Sequence, residues 1–308
     1  MSHQKTGANI VIYYNVVTFA AVKVKIMKKT FIISALVMAL LTACTSTQDG
    51  SHNSDSQKNA IVAVHFGTSH STTREKTIEA FNRLVEESFP NCDFFEAYTS
   101  EIIVKKLKKE GIEKFSPMEL FQKLSNEGYT NIIVQSTNII PGFEYQSLID
   151  DAESVGDKFN SIEIGTPLLY DISDCETVAS IIAERNPIKD KNHHIVFVGH
   201  GTQGPANALY SQIDYMLKSN HNSNYHVATI EGYPTLEALK EALKKGYAKQ
   251  VTLVPFMFVA GDHAVNDIAN DWKDELQEAG YKVELNIEGL GELPQIRELL
   301  LKHLQKIQ

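Results

Sequence analysis

Three cysteines in 308 residues cannot supply a disulfide framework, so this fold must be held together by packing. Positive charge is in deficit too, with 29 Lys and Arg against 38 Asp and Glu and a formal net charge of −9. Long apolar runs are missing: the one near the N-terminus, Phe31 to Leu41, is too short to span a bilayer comfortably. What remains, 43% hydrophobic and 22% charged, is the composition of a globular chain rather than a disordered one. Its length suits two domains of ordinary size or one large α/β domain.

The first forty-odd residues read as a targeting segment. Lys28 and Lys29 form a basic n-region, Phe31 to Leu41 an apolar h-region, and Leu41-Thr42-Ala43-Cys44 a small-residue cleavage point. Leu-Thr-Ala-Cys resembles the lipobox of bacterial lipoproteins, which implies lipidation of Cys44 and a chain exported and lipid-anchored to a bacterial membrane, facing the periplasm. Met27 then becomes the start, with residues 1–26 an upstream extension and 1–43 lost on maturation. Those 43 residues contain five lysines and no acid, so the mature charge is 24 − 38 = −14. So acidic a chain excludes nucleic acid as the expected partner. Residues 44–58, rich in Ser, Thr, Asn, Gln and Asp, read as a flexible tether.

From about Lys58 onward, short β-rich runs alternate with amphipathic helical patterns, which predicts an α/β fold with parallel sheets covered by helices on both faces. Strands are expected at Ile61 to Phe66, Ile132 to Ile140, Ser161 to Ile164, Ile195 to Val198, Val227 to Ile230, Val251 to Val259 and Lys282 to Asn286. Ser116-Pro117-Met118-Glu119 is a capping box with proline at the first helical position. The plan repeats. Ile61-Val62-Ala63-Val64-His65-Phe66-Gly67-Thr68 aligns with Ile195-Val196-Phe197-Val198-Gly199-His200-Gly201-Thr202, 134 residues later, and a second match recurs at an offset of 119. Two similar Rossmann-like halves follow, over residues 59–188 and 189–308, with the ligand cleft between them at the carboxyl ends of the strands.

Chemistry-bearing residues fall at those strand ends in the second half. His200, Glu231 and His263 each follow a different strand, so three βα turns can bring two imidazoles and a carboxylate to one point. Such a set suits a borderline divalent ion such as Co²⁺, Fe²⁺ or Zn²⁺ and leaves coordination positions open. The spacing is not a local metal motif, and a lone strand-end histidine is more often a hydrogen-bonded structural residue. A rival reading lies in Gly199-His200-Gly201-Thr202-Gln203-Gly204, which formally satisfies the dinucleotide-binding pattern. Pro205, where a small helix-packing residue is expected, argues against it.

Three segments carry a family resemblance: Val198-Gly199-His200-Gly201, Ile230-Glu231-Gly232-Tyr233-Pro234 and Val259-Ala260-Gly261-Asp262-His263-Ala264-Val265-Asn266-Asp267. With Phe66-Gly67-Thr68-Ser69, Gln135-Ser136 and Gly142-Phe143-Glu144-Tyr145 they resemble the anaerobic-type sirohydrochlorin cobaltochelatase family, CbiK, over about residues 59 to 305. The resemblance implies a class II chelatase fold, a tetrapyrrole held between the halves, and insertion of Co²⁺, or alternatively Fe²⁺ or Ni²⁺, without ATP. It makes His200, Glu231 and His263 the metal-binding and catalytic set, with the two histidines as proton carriers. His65, Tyr145 and Tyr233 are candidate tetrapyrrole contacts, and Arg74 and Lys76 the nearest cations for substrate carboxylates. Two positions depart from the family pattern: Asn138 stands where a histidine is usual, and His65 where small residues are. An exported location also departs from cytoplasmic sirohydrochlorin synthesis. An exported haem- or tetrapyrrole-binding protein, a metal-removing enzyme and a metal chaperone therefore stay open beside the chelatase, and a homo-oligomer is compatible with all of them.

Overall fold

The computed structural model describes residues 58–261 and 264–307. The described residues belong to one compact unit, Ser56–Gln308. Cys44, the tether up to residue 57 and the leader segment lie outside the described residues, as does His263. Among the described residues no helix is long and apolar enough to cross a membrane.

Eight strands form two all-parallel sheets. In the first, β1 (Asn59–His65), β2 (Asp93–Tyr98), β3 (Asn131–Ser136) and β4 (Ser161–Gly165) lie in the order β2-β1-β3-β4. In the second, β5 (His193–Gly199), β6 (Tyr225–Thr229), β7 (Gln250–Pro255) and β8 (Lys282–Leu285) lie in the order β6-β5-β7-β8. The registers repeat as well: Asn59 pairs with Asn131 and His193 with Gln250. In each sheet the order reverses direction between its first and third strands, and a crevice at their carboxyl ends is the expected ligand site.

The helices of the first half are α1, α2 (Glu101–Lys109), α3 (Pro117–Asn126), α4 (Phe143–Val155) and α5 (Ile172–Arg185). Here α1 joins Ser71–Arg74 to Ala80–Ser88 through a wider turn at Glu75–Glu79. The second half contributes α6 (Ala208–Asn220), α7 (Leu236–Lys245), α8 (Ala264–Trp272 continuing as Lys273–Glu278) and α9 (Pro294–Gln305). Caps fix several helix starts. Ser116 and Glu119 form the expected capping box of α3, and Asp171 and Asp174 form another on α5.

Strand alternation sorts the core into three layers. Ile61 and Ala63 of β1 face a core shared by both sheets, which also holds Ile195 and Phe197 of β5. Val62 and Val64 face outward onto Leu120, Phe121 and Leu124 of α3 and Leu148 of α4. Val196 and Val198 do the same against Leu239 and Leu243 of α7 and Trp272 of α8. The two-residue period therefore places equivalent residues of the repeat on equivalent faces. Two helices cross the expected partition at residue 188. The α5 helix packs against α6, and α9 packs against α1, β3 and β4, placing Ile296, Leu300 and Leu304 in the shared core.

Two expected strands are shorter than their sequence patterns. The apolar tails Ile139-Ile140 and Phe256 to Val259 leave the sheets after Ser136 and Pro255 and line the space between them. They are apolar because they face that space and the shared core. The β2 strand and α2 were not separated out by sequence pattern. Cys92 and Cys175 are both free thiols.

Candidate functional site

A cleft of about 470 Å³ opens where the carboxyl ends of both sheets meet, within the size range of small-molecule sites. The turns after β1, β5 and β6, the segments after β3 and β7 and the start of α4 wall it, with Phe66, Thr68, Asn138, Glu144, His200, Glu231 and Met257 among the lining residues.

The backbone of the two key turns is the same in both halves. The Ser100 N–H donates to the Phe66 carbonyl at 3.2 Å, and the Glu231 N–H donates to the His200 carbonyl at 2.8 Å. Gly67 and Gly201, the glycines of these turns, sit at φ +98° and +85°, a region costly for residues with a Cβ. At Gly201 a Cβ would also lie 2.7 Å from the Gly232 nitrogen. One scaffold thus presents two different sets of side chains. Phe66 and Ser100 occupy in the first half the places of His200 and Glu231 in the second.

His200 and Glu231 come together as expected, with Nε2 4.0 Å from Oε1 and both side chains partly exposed in the cleft. The His200 Nδ1 faces the Gly201 carbonyl at 3.2 Å. His263, the third member of the expected set, lies outside the described residues. Among the described residues no three His, Cys, Asp or Glu side chains cluster closely enough to hold a metal.

The other expected site residues separate. Tyr145 lines the cleft, and its hydroxyl donates to the Gly165 carbonyl at 3.1 Å. Tyr233 is 61% exposed and is not among the residues lining the cleft. His65 is buried rather than cleft-facing, which corrects its reading as a tetrapyrrole contact. Its Nδ1 meets Thr137 Oγ1 at 3.1 Å and its Nε2 meets Asn82 Oδ1 at 2.9 Å, so both ring nitrogens are engaged. The ring stacks on Phe258, with Phe81 and Tyr98 edge-on. Burial lowers its pKa from 6.5 to about 4, against a smaller upward pull from the Asn82 hydrogen bond and with Lys114 adding to the decrease. The missed signal was parity: His65 is two residues beyond Ala63 and four beyond Ile61, on the face that meets the shared core.

Arg74 and Lys76 do not reach the cleft lining either. Arg74 pairs with Glu79 at 3.3 Å, and Lys76 lies 3.8 Å from Glu292. Asn138 does line the cleft, and its amide donates to Glu144 Oε2 at 3.2 Å. The site also contains residues that sequence spacing did not single out, notably the exposed apolar side chains of Ile102 and Phe143.

Two parallel four-stranded sheets with a cleft at their joined carboxyl ends define the class II chelatase architecture. Solved structures with this fold include SirB from Bacillus subtilis with Fe³⁺, with a TM-score of 0.59 at 16% identity over 81% of this chain and 95% of that one. Another is CbiX, the terminal enzyme of sirohaem biosynthesis in denitrifying bacteria, with a TM-score of 0.51 at 14% identity over 81% and 99%. Among curated proteins, the sirohydrochlorin cobaltochelatase of Salmonella typhimurium is 35% identical over 254 residues, 81% of this chain and 96% of that protein. The sirohydrochlorin cobaltochelatase CbiKC of Nitratidesulfovibrio vulgaris is 32% identical over 254 residues, 80% and 89% respectively. Residues 59–308 match the cobalt chelatase (CbiK) family, and the chain belongs to it.

Proposed function

We propose that this protein is a sirohydrochlorin cobaltochelatase that inserts Co²⁺ into the free macrocycle without ATP. The observation that carries the reading is the joint placement of His200 and Glu231 on one wall of the inter-sheet cleft in a chain of the cobalt chelatase family. The reaction exchanges two pyrrole N–H protons for one M²⁺, so the site must strip water from the ion, hold it facing the ring and carry two protons away. A neutral imidazole with a directed lone pair can bind the ion or accept a pyrrole proton, and a nearby carboxylate can pass that proton to solvent. His263 completes the metal set in this proposal. A set of three ligands leaves coordination positions for the incoming pyrrole nitrogens, whereas a closed four-ligand site would retain the ion.

The proposal extends to location: the lipobox-like Leu41-Thr42-Ala43-Cys44 supports attachment to a membrane by lipid at Cys44. Purified protein mixed with Co²⁺ and sirohydrochlorin should shift the tetrapyrrole absorbance bands to those of the metallated ring. Unchanged bands at saturating metal and protein would refute the chelatase reading.

A further inference from the structure

His200 and Glu231 stand on separate turns, after β5 and β6, so their spacing depends on whatever joins those turns. Asn207, at the end of the single helical turn Pro205–Asn207 that leads into α6, joins them through its side chain. Its Oδ1 accepts the Thr202 N–H at 3.1 Å, and its Nδ2 donates to the Tyr233 carbonyl at 2.7 Å. The partners fix which end of the amide is which, because a backbone N–H can meet only the oxygen and a carbonyl only the NH₂ group. Thr202 is two residues beyond His200 and Tyr233 two beyond Glu231. One amide therefore grips both turns at the same step past the reacting side chains.

The backbone makes room for that amide. A Cβ on Gly232 would lie 2.1 Å from Asn207 Oδ1 and would push the amide out, while one on Gly201 would lie 2.7 Å from the Gly232 nitrogen and part the turns. Two further bonds run across the same joint: the Glu231 N–H donates to the His200 carbonyl at 2.8 Å, and the Gln203 amide donates to the Glu231 carbonyl at 2.7 Å. Gln203 lines the cleft, where an incoming ring can touch it, whereas Asn207 stands behind the lining and reaches substrate only through the turns. The 134-residue offset that pairs Phe66 with His200 puts Thr73, a residue with no amide, in the place of Asn207. The amide joint thus belongs to the half that carries the imidazole and the carboxylate.

Resting on the chelatase reading above, we infer that Asn207 is a positioning residue for metal insertion, which sets the 4.0 Å between His200 Nε2 and Glu231 Oε1 without touching metal or ring. Both of those side chains are partly exposed, so the backbone of their turns has the larger share in holding them at one distance. Losing the amide leaves each turn its own fold and lets one shift against the other. A misplacement of about 1 Å at a reacting centre costs on the order of 10²-fold in rate. Binding of the ring, supplied by the cleft walls, stays in place. The signature is a fall in kcat at nearly constant KM.

The test is steady-state Co²⁺ insertion into sirohydrochlorin by the full chain, beside calorimetric titration with Co²⁺ alone, for Asn207→Ala, Gly232→Ala and the double variant. Asn207→Ala should lower kcat by about tenfold to a hundredfold, hold KM for sirohydrochlorin within about twofold and weaken Co²⁺ binding by about tenfold. Gly232→Ala, whose methyl group expels the amide, should reproduce the kcat loss in a chain that keeps the asparagine. Because both changes open the same joint, the double variant should be no more than about twofold slower than Asn207→Ala. Should Asn207→Ala fail to fold, Asn207→Ser, too short to reach both turns, carries the same expectation. Parental kcat and Co²⁺ affinity, a loss that falls on KM instead of kcat, or additive losses in the double variant overturns the inference. A parent protein that binds Co²⁺ and inserts none ends the chelatase reading, while the Co²⁺ affinities of the variants still decide whether Asn207 sets the spacing of His200 and Glu231.

Discussion

His200 Nε2 and Glu231 Oε1 stand 4.0 Å apart, too far for a hydrogen bond and close to the span of two metal bonds of about 2.0–2.2 Å each. An ion seated between them touches both. His200→Ala and Glu231→Gln should therefore lower the rate of Co²⁺ insertion by about 10²-fold or more with little change in tetrapyrrole affinity. Steady-state rates and a binding titration separate the two effects, and near wild-type rates in both variants would rule out this pair as the reacting groups.

Acid sensitivity should originate partly at His65. Folding lowers its pKa from 6.5 to about 4 by burial, so between those values the unfolded chain binds a proton that the folded chain does not. Stability from this group is complete above that window and falls as pH drops through it, by about 3 kcal/mol in total. Urea unfolding followed across the window should show a shallower pH slope in His65→Gln than in the parent. An unchanged slope would mean that the ring titrates freely and is not sealed in the shared core.

Gly201 combines positive φ with a Cβ position 2.7 Å from the Gly232 nitrogen. Gly201→Ala should cost about 1–3 kcal/mol of stability and displace the adjacent His200, so insertion should slow beyond what the stability loss explains. Thermal unfolding beside insertion rates at a temperature where the variant stays folded makes the comparison. A stable variant with full activity would show that the turn yields readily.

Asp174 ties two parts of the chain together. Its Oδ2 accepts the Asp171 N–H at 3.2 Å in the α5 capping box, and its Oδ1 lies 3.0 Å from Nε2 of the buried His303 on α9. Asp174→Ala removes the reciprocal half of the capping box, leaving the Asp171 cap in place, and leaves the buried His303 Nε2 without its partner, a loss of about 2 kcal/mol. Denaturant midpoints check it. A shift no larger than that of a surface substitution would place the pair outside the stabilising core.

Much of this was legible in the chain because both sheets are buried on two faces and their central strands are nearly continuous apolar runs. The repeat of Ile61 to Thr68 in Ile195 to Thr202 gave the equivalence of β1 and β5, and with it the strand-end places of His200 and Glu231. The edge strand β2 escaped because Asp93-Phe94-Phe95-Glu96-Ala97-Tyr98 is half-buried over most of its length and carries two acids, so neither alternation nor a continuous apolar run stands out. The cleft's apolar wall escaped for a different reason. Phe143 is the first residue of a helix, where an apolar side chain reads as ordinary packing, and only the fold shows that it faces open space.

The way α9 docks bears on how the protein comes into being. Ile296, Leu300 and Leu304 enter the shared core beside Ile61 and Ile78, so the inner face of the first sheet is covered by a helix that follows the whole second sheet in sequence. Sheet one therefore cannot complete its core from its own half of the sequence. The cleft, walled by turns of both sheets, takes its final shape only once both halves have docked.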